Sequence, residues 1–249
     1  MKDSDILIVV PCYNEEKRLP ASAFVDFAAA QKHYHFLFVD DGSRDNTFGL
    51  LEQVCRENPE QMDVLKLPKN GGKAEAVRQG FLKALETQAW YIGYWDADLA
   101  TPLFVLPDFI KRFHRKPSLE MVFGSRVRLM GNRIERKMMR HYLGRIFATF
   151  ASNVIRLSIY DTQCGAKLFR KTPALADIFK TPFKSKWIFD IEILARYLQL
   201  KRRQGITEFD DLINELPLPA WRDVGASKVK PGDFVKAFQE LVQIYLTYR

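Results

Sequence analysis

The stretch Trp95-Asp96-Ala97-Asp98 sets two carboxylates two positions apart, just where the apolar run Trp90-Tyr91-Ile92-Gly93-Tyr94-Trp95 gives way to Thr101-Pro102. Like charges at the end of a buried strand lose hydration and repel each other, so a positive partner is required. Side chains alternate along a strand, so residues two apart converge on one side of its exit. That suits magnesium or manganese held by carboxylates together with a ligand's phosphate oxygens. Asp96 and Asp98 are therefore the expected metal ligands. Helix capping is the ordinary use of such aspartates. Here, however, Thr101 is the natural N-cap with Pro102 at the first helical position, which leaves both acids upstream of that role.

Three further polar clusters follow apolar runs. Asp40-Asp41-Gly42-Ser43-Arg44-Asp45 is ordinary turn chemistry on its own. Beside a metal pair, Asp40 is placed to accept from a base N–H, and Asp41 to support a ribose or the metal shell. Lys69-Asn70-Gly71-Gly72-Lys73 is not a P-loop, because Leu67 and Ala74 stand where glycine and Ser/Thr are required. A glycine turn into a helix N-terminus still approaches a phosphate or ribose closely, and simple helix entry accounts for it equally well. From Arg126 to Arg145 there are six arginines and Lys137 against one acid, Glu135, before the chain turns apolar through Ile146-Phe147-Ala148-Thr149-Phe150. Arginine's planar fork grips phosphate, and basic residues beside an amphipathic stretch suit an anionic lipid surface. The histidines at 33, 35, 114 and 141 show no ligand spacing, and no nucleophile elbow is present.

These clusters need a frame that brings them together. Ile6–Val10, Phe36–Val39, Val64–Leu67, Tyr91–Trp95 and Met121–Phe123 read as strands, and 20–33, 47–57, 73–86 and 102–114 as the helices between them. Alternation of this kind builds an α/β fold with a mostly parallel sheet flanked by helices. Ala74, Val77, Phe81 and Leu85 mark the inner face of one helix. In such a sheet, ligands gather beyond the carboxyl ends of the strands. The clusters at 11–16, 40–45, 69–73 and 96–98 occupy those ends, so one shared site is expected. The second half, with a closing helix from about 233 and no linker before it, is read as completing the first.

With 249 residues and 47% apolar content the chain builds a substantial core. The formal charge of +8 points to an anionic partner. Cys12, Cys55 and Cys164 make no even framework and no metal spacing, which fits a reducing, cytoplasmic setting. The start has too short an apolar stretch for a signal peptide, and no uninterrupted apolar run approaches the ~18 residues of a membrane span. No nucleic-acid motif appears, so nucleic acid is not an expected partner.

Val9-Val10-Pro11-Cys12-Tyr13-Asn14-Glu15-Glu16, Val39 through Asp45 and Asp96-Ala97-Asp98 resemble, in order, three signatures of the family 2 glycosyltransferases. Gly124-Ser125-Arg126, Asp161-Thr162-Gln163-Cys164-Gly165, Trp187 through Glu192, and Trp221 through Lys228 resemble the polyprenyl-phosphate branch, on the dolichyl-phosphate β-glucosyltransferase side. The resemblance implies a single domain over 1–249 with a GT-A type, Rossmann-like nucleotide-binding sheet. Residues 1–125 would form the nucleotide-sugar half and 126–249 the acceptor half. It implies that Pro11, Tyr13, Glu15 and Asp40 cradle the nucleoside, that Asp96 contacts ribose or metal, and that Asp98 ligates the ion. Asp41 and Lys73 would join the donor site, with Lys228 and Arg222 closing over the phosphates. The donor implied is UDP-glucose, with GDP-mannose second, because Ala100 stands where the mannosyl branch commonly has Gln.

Under the same resemblance, Arg126 and Arg140 match the positions that hold a polyprenyl phosphate acceptor, at a peripheral site on the cytoplasmic membrane face. A phosphate monoester is already ionised and attacks without a protein base, with inversion. A saccharide acceptor would instead require a base such as Asp190. A catalytically silent module that binds sugar nucleotides or membranes is the reading from another class.

Overall fold

The computed structural model describes residues 5–135, 138–224 and 231–248, with side chains throughout except at 138–146 and 231–235. The chain runs β1 (Ile6–Cys12), α1 (Ala21–Ala30), β2 (Tyr34–Asp40), α2 (Thr47–Glu57), β3 (Met62–Lys66), α3 (Lys73–Leu85), β4 (Tyr91–Trp95), a 3₁₀ turn (Leu103–Val105) and α4 (Leu106–Arg115). It continues through β5 (Met121–Ser125), β6 (Arg133–Glu135), α5 (Met138–Ile155), β7 (Ala166–Arg170), α6 (Pro173–Lys180), α7 (Phe189–Arg203), β8 (Ile213–Pro217), β9 (Ala220–Arg222) and α8 (Pro231–Tyr248).

Seven strands form one sheet in the order β3-β2-β1-β4-β7-β5-β8. All its pairings are parallel except those that β7 makes with β4 and β5. Strand alternation sorts the apolar residues into two cores. Val9, Leu37, Val39, Ile92 and Tyr94 face one way, against Val77 and Phe81 of α3 and Leu194 of α7. Ile8, Val10, Phe36, Phe38, Tyr91 and Trp95 face the other, against Phe24 of α1, Leu51 of α2 and Phe109 of α4. Such continuous apolar strands are what a sheet covered on both faces demands.

The strand order reverses at β1, which has β2 on one side and β4 on the other. Loops leaving neighbouring strands diverge at such a point, which opens a crevice. Strand β7, from the second half of the chain, lies between β4 and β5, so the two halves share one sheet. Strands β6 and β9 pair separately, with Ile134 opposite Trp221.

One detail of the expected helix entry is corrected. Pro102 is extended at the start of the 3₁₀ turn, no side chain caps that turn, and α4 begins only at Leu106. Thr101 is buried, and its carbonyl accepts from the Trp95 indole at 2.7 Å. Satisfying the buried indole N–H takes the place of the capping role.

Candidate active site

Beyond β4 the backbone turns sharply, with Leu99 at φ +50° and the Ala100 amide donating to Asp98 Oδ1 at 3.1 Å. Each acid of the pair meets a side-chain cation. Lys73, the first residue of α3, places Nζ 2.5 Å from Asp96 Oδ1. Arg18, from the segment after β1, brings Nη2 to 3.3 Å from Asp98 Oδ2. Burial and the neighbouring charge of Asp96 push the Asp98 carboxyl above its ordinary value, against the Ala100 amide, Arg18 and Lys73. Burial works against the Lys73 ammonium, but Asp96, then Asp190 and Asp98, outweigh it and hold its pKa up. Gly165, the residue before β7, packs directly on Asp96. Its carbonyl accepts from the Asp96 amide at 3.0 Å, and a Cβ there would fall well inside 3.0 Å of the whole carboxylate.

Asp40, at the end of β2, is almost fully buried. Its Oδ1 accepts from the Ser43 amide at 3.3 Å, and its buried Oδ2 has no hydrogen-bond partner. A buried acceptor left in that condition is costly unless a donor arrives. The next residue behaves differently: both Asp41 oxygens accept from the loop before α3, from the Gly71 amide at 2.7 Å and the Gly72 amide at 2.8 Å. The amides that a phosphate loop would offer to a ligand are thus given to Asp41. Gly42, at φ +63°, lies so close to Lys69 and Asn70 that no side chain fits. Together these contacts lock the two loops and set the start of α3, from which Lys73 reaches Asp96.

Pro11 pairs with Val39 inside the sheet. Tyr13 is half-buried at the β1 exit, and Glu15 is buried, its amide donating to the Thr47 hydroxyl oxygen at 2.8 Å and its carboxylate forming an ion pair with Arg18 Nε at 3.3 Å. The Arg222 side chain is exposed, and its amide donates to Ala100 O at 3.1 Å, tethering β9 to the loop that carries Asp98. Lys228 and the side chain of Arg140 lie outside the described residues.

Arg126 follows β5 and is clamped bidentately by Asp161, Nε to Oδ2 at 2.6 Å and Nη2 to Oδ1 at 2.7 Å. The Trp221 ring lies 5.4 Å from the guanidinium carbon. Glu215 of β8 in turn fixes the Asp161 segment by accepting from the Tyr160 amide (2.7 Å) and the Asp161 amide (2.8 Å). Two of the five guanidinium N–H groups are spent on Asp161.

Asp190 opens α7 and is buried. It accepts from the Tyr94 hydroxyl and pairs with Lys167 Nζ at 2.8 Å, while Lys167, itself fully buried on β7, also donates to Cys164 O. Burial drives the Asp190 carboxyl up, with Lys73 opposing, and drives the Lys167 ammonium down. Glu192 pairs with Arg196 at 2.7 Å and also takes the Ser185 and Lys184 amides, as a structural hub.

Sequence reasoning passed over Arg18, Lys167, Asp161 as the Arg126 clamp, and Glu215. Lys167 alone carried a signal, as a charge inside the apolar strand Ala166-Lys167-Leu168-Phe169. Among the described residues, no set of three His, Cys, Asp or Glu side chains is grouped to hold a metal.

A mostly parallel α/β sheet of this order, with paired carboxylates beside its strand-order reversal, is a GT-A type fold. The chain belongs to glycosyl transferase family 2, whose model matches residues 7–175, and it is a glycosyltransferase. It is 33% identical to the dolichyl-phosphate beta-glucosyltransferase of Saccharomyces cerevisiae, over 97% of this chain and 74% of that one. To the protein of that name in Dictyostelium discoideum it is 32% identical, with the same shares covered. Among solved structures it resembles glucosyl-3-phosphoglycerate synthase from Mycobacterium tuberculosis in complex with Mn2+, UDP and phosphoglyceric acid. That match has a TM-score of 0.63 at 16% identity and covers 97% of this chain and 78% of the other, which speaks to the fold alone.

No helix among the described residues is long and apolar enough to cross a membrane.

Proposed function

We propose that this enzyme moves glucose from UDP-glucose to a polyprenyl phosphate of the dolichyl type, with inversion and with a divalent metal. The carrying observation is the carboxylate pair at the reversal of strand order, in a chain similar over nearly its whole length to enzymes named dolichyl-phosphate beta-glucosyltransferases. The two halves act as one catalytic domain.

The donor set fits magnesium or manganese. Asp96 and Asp98 are held by Lys73 and Arg18, whose side chains are partly exposed and free to turn aside, and two carboxylates plus substrate phosphate oxygens are a usual complement for such ions. Asp96 and Asp98 would hold the ion, which when bound offsets the negative charge growing on the departing nucleoside diphosphate. Asp40 offers its unpartnered oxygen to a base N–H, with Pro11, Tyr13 and Glu15 forming the rest of the nucleoside cradle. Asp41 serves at one remove, by holding the Gly71-Gly72 turn. Lys73, Arg222 and Lys228 supply positive charge for the diphosphate.

Arg126, held rigid by Asp161, presents its remaining N–H donors to the acceptor phosphate, and Arg140 joins it. This is positioning of an already ionised nucleophile rather than proton transfer. The surroundings of Asp190 support that reading over a saccharide acceptor, because its carboxylate is committed to Tyr94 and Lys167.

Peripheral membrane contact is supported by exposed Phe150 on α5 and by Phe238, Val242 and Leu246, spaced four apart along α8.

The test is transfer of radiolabelled glucose from UDP-glucose to dolichyl phosphate with Mn2+, against GDP-mannose and a saccharide acceptor. Asp98→Ala abolishes transfer and Asp190→Asn retains most of it. Transfer to the saccharide alone, lost in Asp190→Asn, refutes the proposal.

A further inference from the structure

Both acids of the pair are already neutralised from within the chain, and by cations from different elements. Lys73 comes from the start of α3 and Arg18 from the segment after β1. Neither cation is entombed: the Lys73 side chain is 41% exposed and that of Arg18 28%, while Asp96 and Asp98 are 34% and 25% exposed. The pairs are partly open to solvent and can separate without disturbing the core. Four groups, two acids and two bases, sum to zero charge. A divalent ion alone therefore enters against two resident cations, whereas a divalent ion accompanied by a nucleoside diphosphate, with two negative charges as the sugar diester and about three as free UDP, adds no net positive charge.

We propose that Arg18 and Lys73 are exchangeable counter-ions of the carboxylate pair, which yield Asp98 and Asp96 to the metal and turn to the diphosphate, so that metal and nucleotide bind as one coupled unit. The proposal rests on the metal-dependent reading above and adds to it a binding order and a role for Arg18. The geometry gives each cation somewhere to go. Arg18 Nε already lies 3.3 Å from a second carboxylate, Glu15, so its guanidinium has an anchor when Asp98 is taken. Lys73 stands at the N-terminus of α3, where the helix dipole favours an anion beside it. By linkage, the factor by which nucleotide tightens metal binding equals the factor by which metal tightens nucleotide binding.

The experiment measures free Mn2+ by electron paramagnetic resonance, and UDP binding by calorimetry. It uses the full chain and its Arg18→Gln and Lys73→Gln variants, each with and without the other ligand. Lys83→Gln removes one charge from the exposed side of α3, where Lys83 faces Glu86, and serves as the control for net charge.

Mn2+ alone is expected to bind about two- to fivefold tighter in each cleft variant, the scale set by removing one partly exposed ion pair. The mutual enhancement by UDP is expected to fall at least fivefold, equally in both titrations, with Lys83→Gln matching wild type. Mn2+ binding unchanged or weakened in the variants, with wild-type coupling retained, overturns the exchange while leaving the metal reading intact. Wild-type protein that takes up no Mn2+ even with UDP overturns both. Near-ultraviolet circular dichroism confirms that the variants are folded, and both substituted side chains are solvent-accessible.

Discussion

Replacing Gly165 by Ala puts one methyl group where the Asp96 carboxylate now sits. A Cβ at residue 165 comes within 3.0 Å of Asp96 Cγ and both its oxygens, closer than real Cβ atoms approach any neighbour. The backbone at this point is held by the Asp96 amide bonded to Gly165 O, and by β7 lying between β4 and β5. The sheet resists moving, so the carboxylate must swing away. An overpacked or off-rotamer side chain costs about 1–3 kcal/mol. Losing the Lys73 contact adds at most about 1 kcal/mol, because both partners are partly exposed. For a chain of this size, each kcal/mol moves Tm by about 2–4 °C, so a fall of roughly 2–16 °C is expected.

The effect on rate is larger than the effect on stability. A misplacement of about 1 Å in a positioning group costs on the order of 10²-fold, about 2.7 kcal/mol of barrier. The assay pairs a thermal melt with kcat and KM for UDP-glucose at saturating dolichyl phosphate. A melt lowered by a few degrees with kcat/KM down at least a hundredfold is expected. Wild-type kcat/KM in Gly165→Ala refutes the reasoning, since it means that the place of the Asp96 carboxylate does not matter to the reaction.

Asp161→Asn keeps the shape of the Arg126 clamp but removes its charge; KM for the lipid phosphate is expected to rise about tenfold with donor KM unchanged, and a change confined to donor KM counts against the acceptor role of Arg126. Glu192 has its carboxyl held below the ordinary 4.5: burial opposes this, but the Ser185 and Lys184 amides and the Tyr248 and Ser185 hydroxyls prevail. A depressed carboxyl contributes stability that is complete above the unfolded value and drains away as pH falls through the folded one, so Tm drops on acidification below about pH 4.5, and Glu192→Gln lowers Tm at pH 7 while flattening that acid limb. Cys12, Cys55 and Cys164 are buried, and burial raises all three thiols, Cys55 to about 12. Thiol reagents at pH 7.5 are expected to label the folded protein at far less than one equivalent and the urea-unfolded protein at three, as counted by mass spectrometry.

Local pattern determined the first half of the molecule. The expected strands and helices between residues 6 and 123 all appear, with ends shifted by a few residues, because apolar runs that fit a sheet buried on both faces leave little freedom. The clusters at the strand ends were legible for the same reason: polar residues following a buried strand must emerge at its carboxyl edge. Thr101 was misread because the buried Trp95 indole, distant in the helix pattern but near in space, claimed its carbonyl.

What the sequence left undecided is who partners whom. Asp41 and Asp40 are adjacent and chemically identical, yet one is bound to the Gly71-Gly72 turn and the other keeps an unpartnered buried oxygen. Arg18 and Lys73 lie 80 and 23 residues from the acids they neutralise, and Asp161 reaches Arg126 across 35. Such pairings depend on strand order, above all on β7 entering between β4 and β5. A one-dimensional pattern carries the period of each element but not the neighbour it packs against, and only the closed sheet brings these charges within reach of one another.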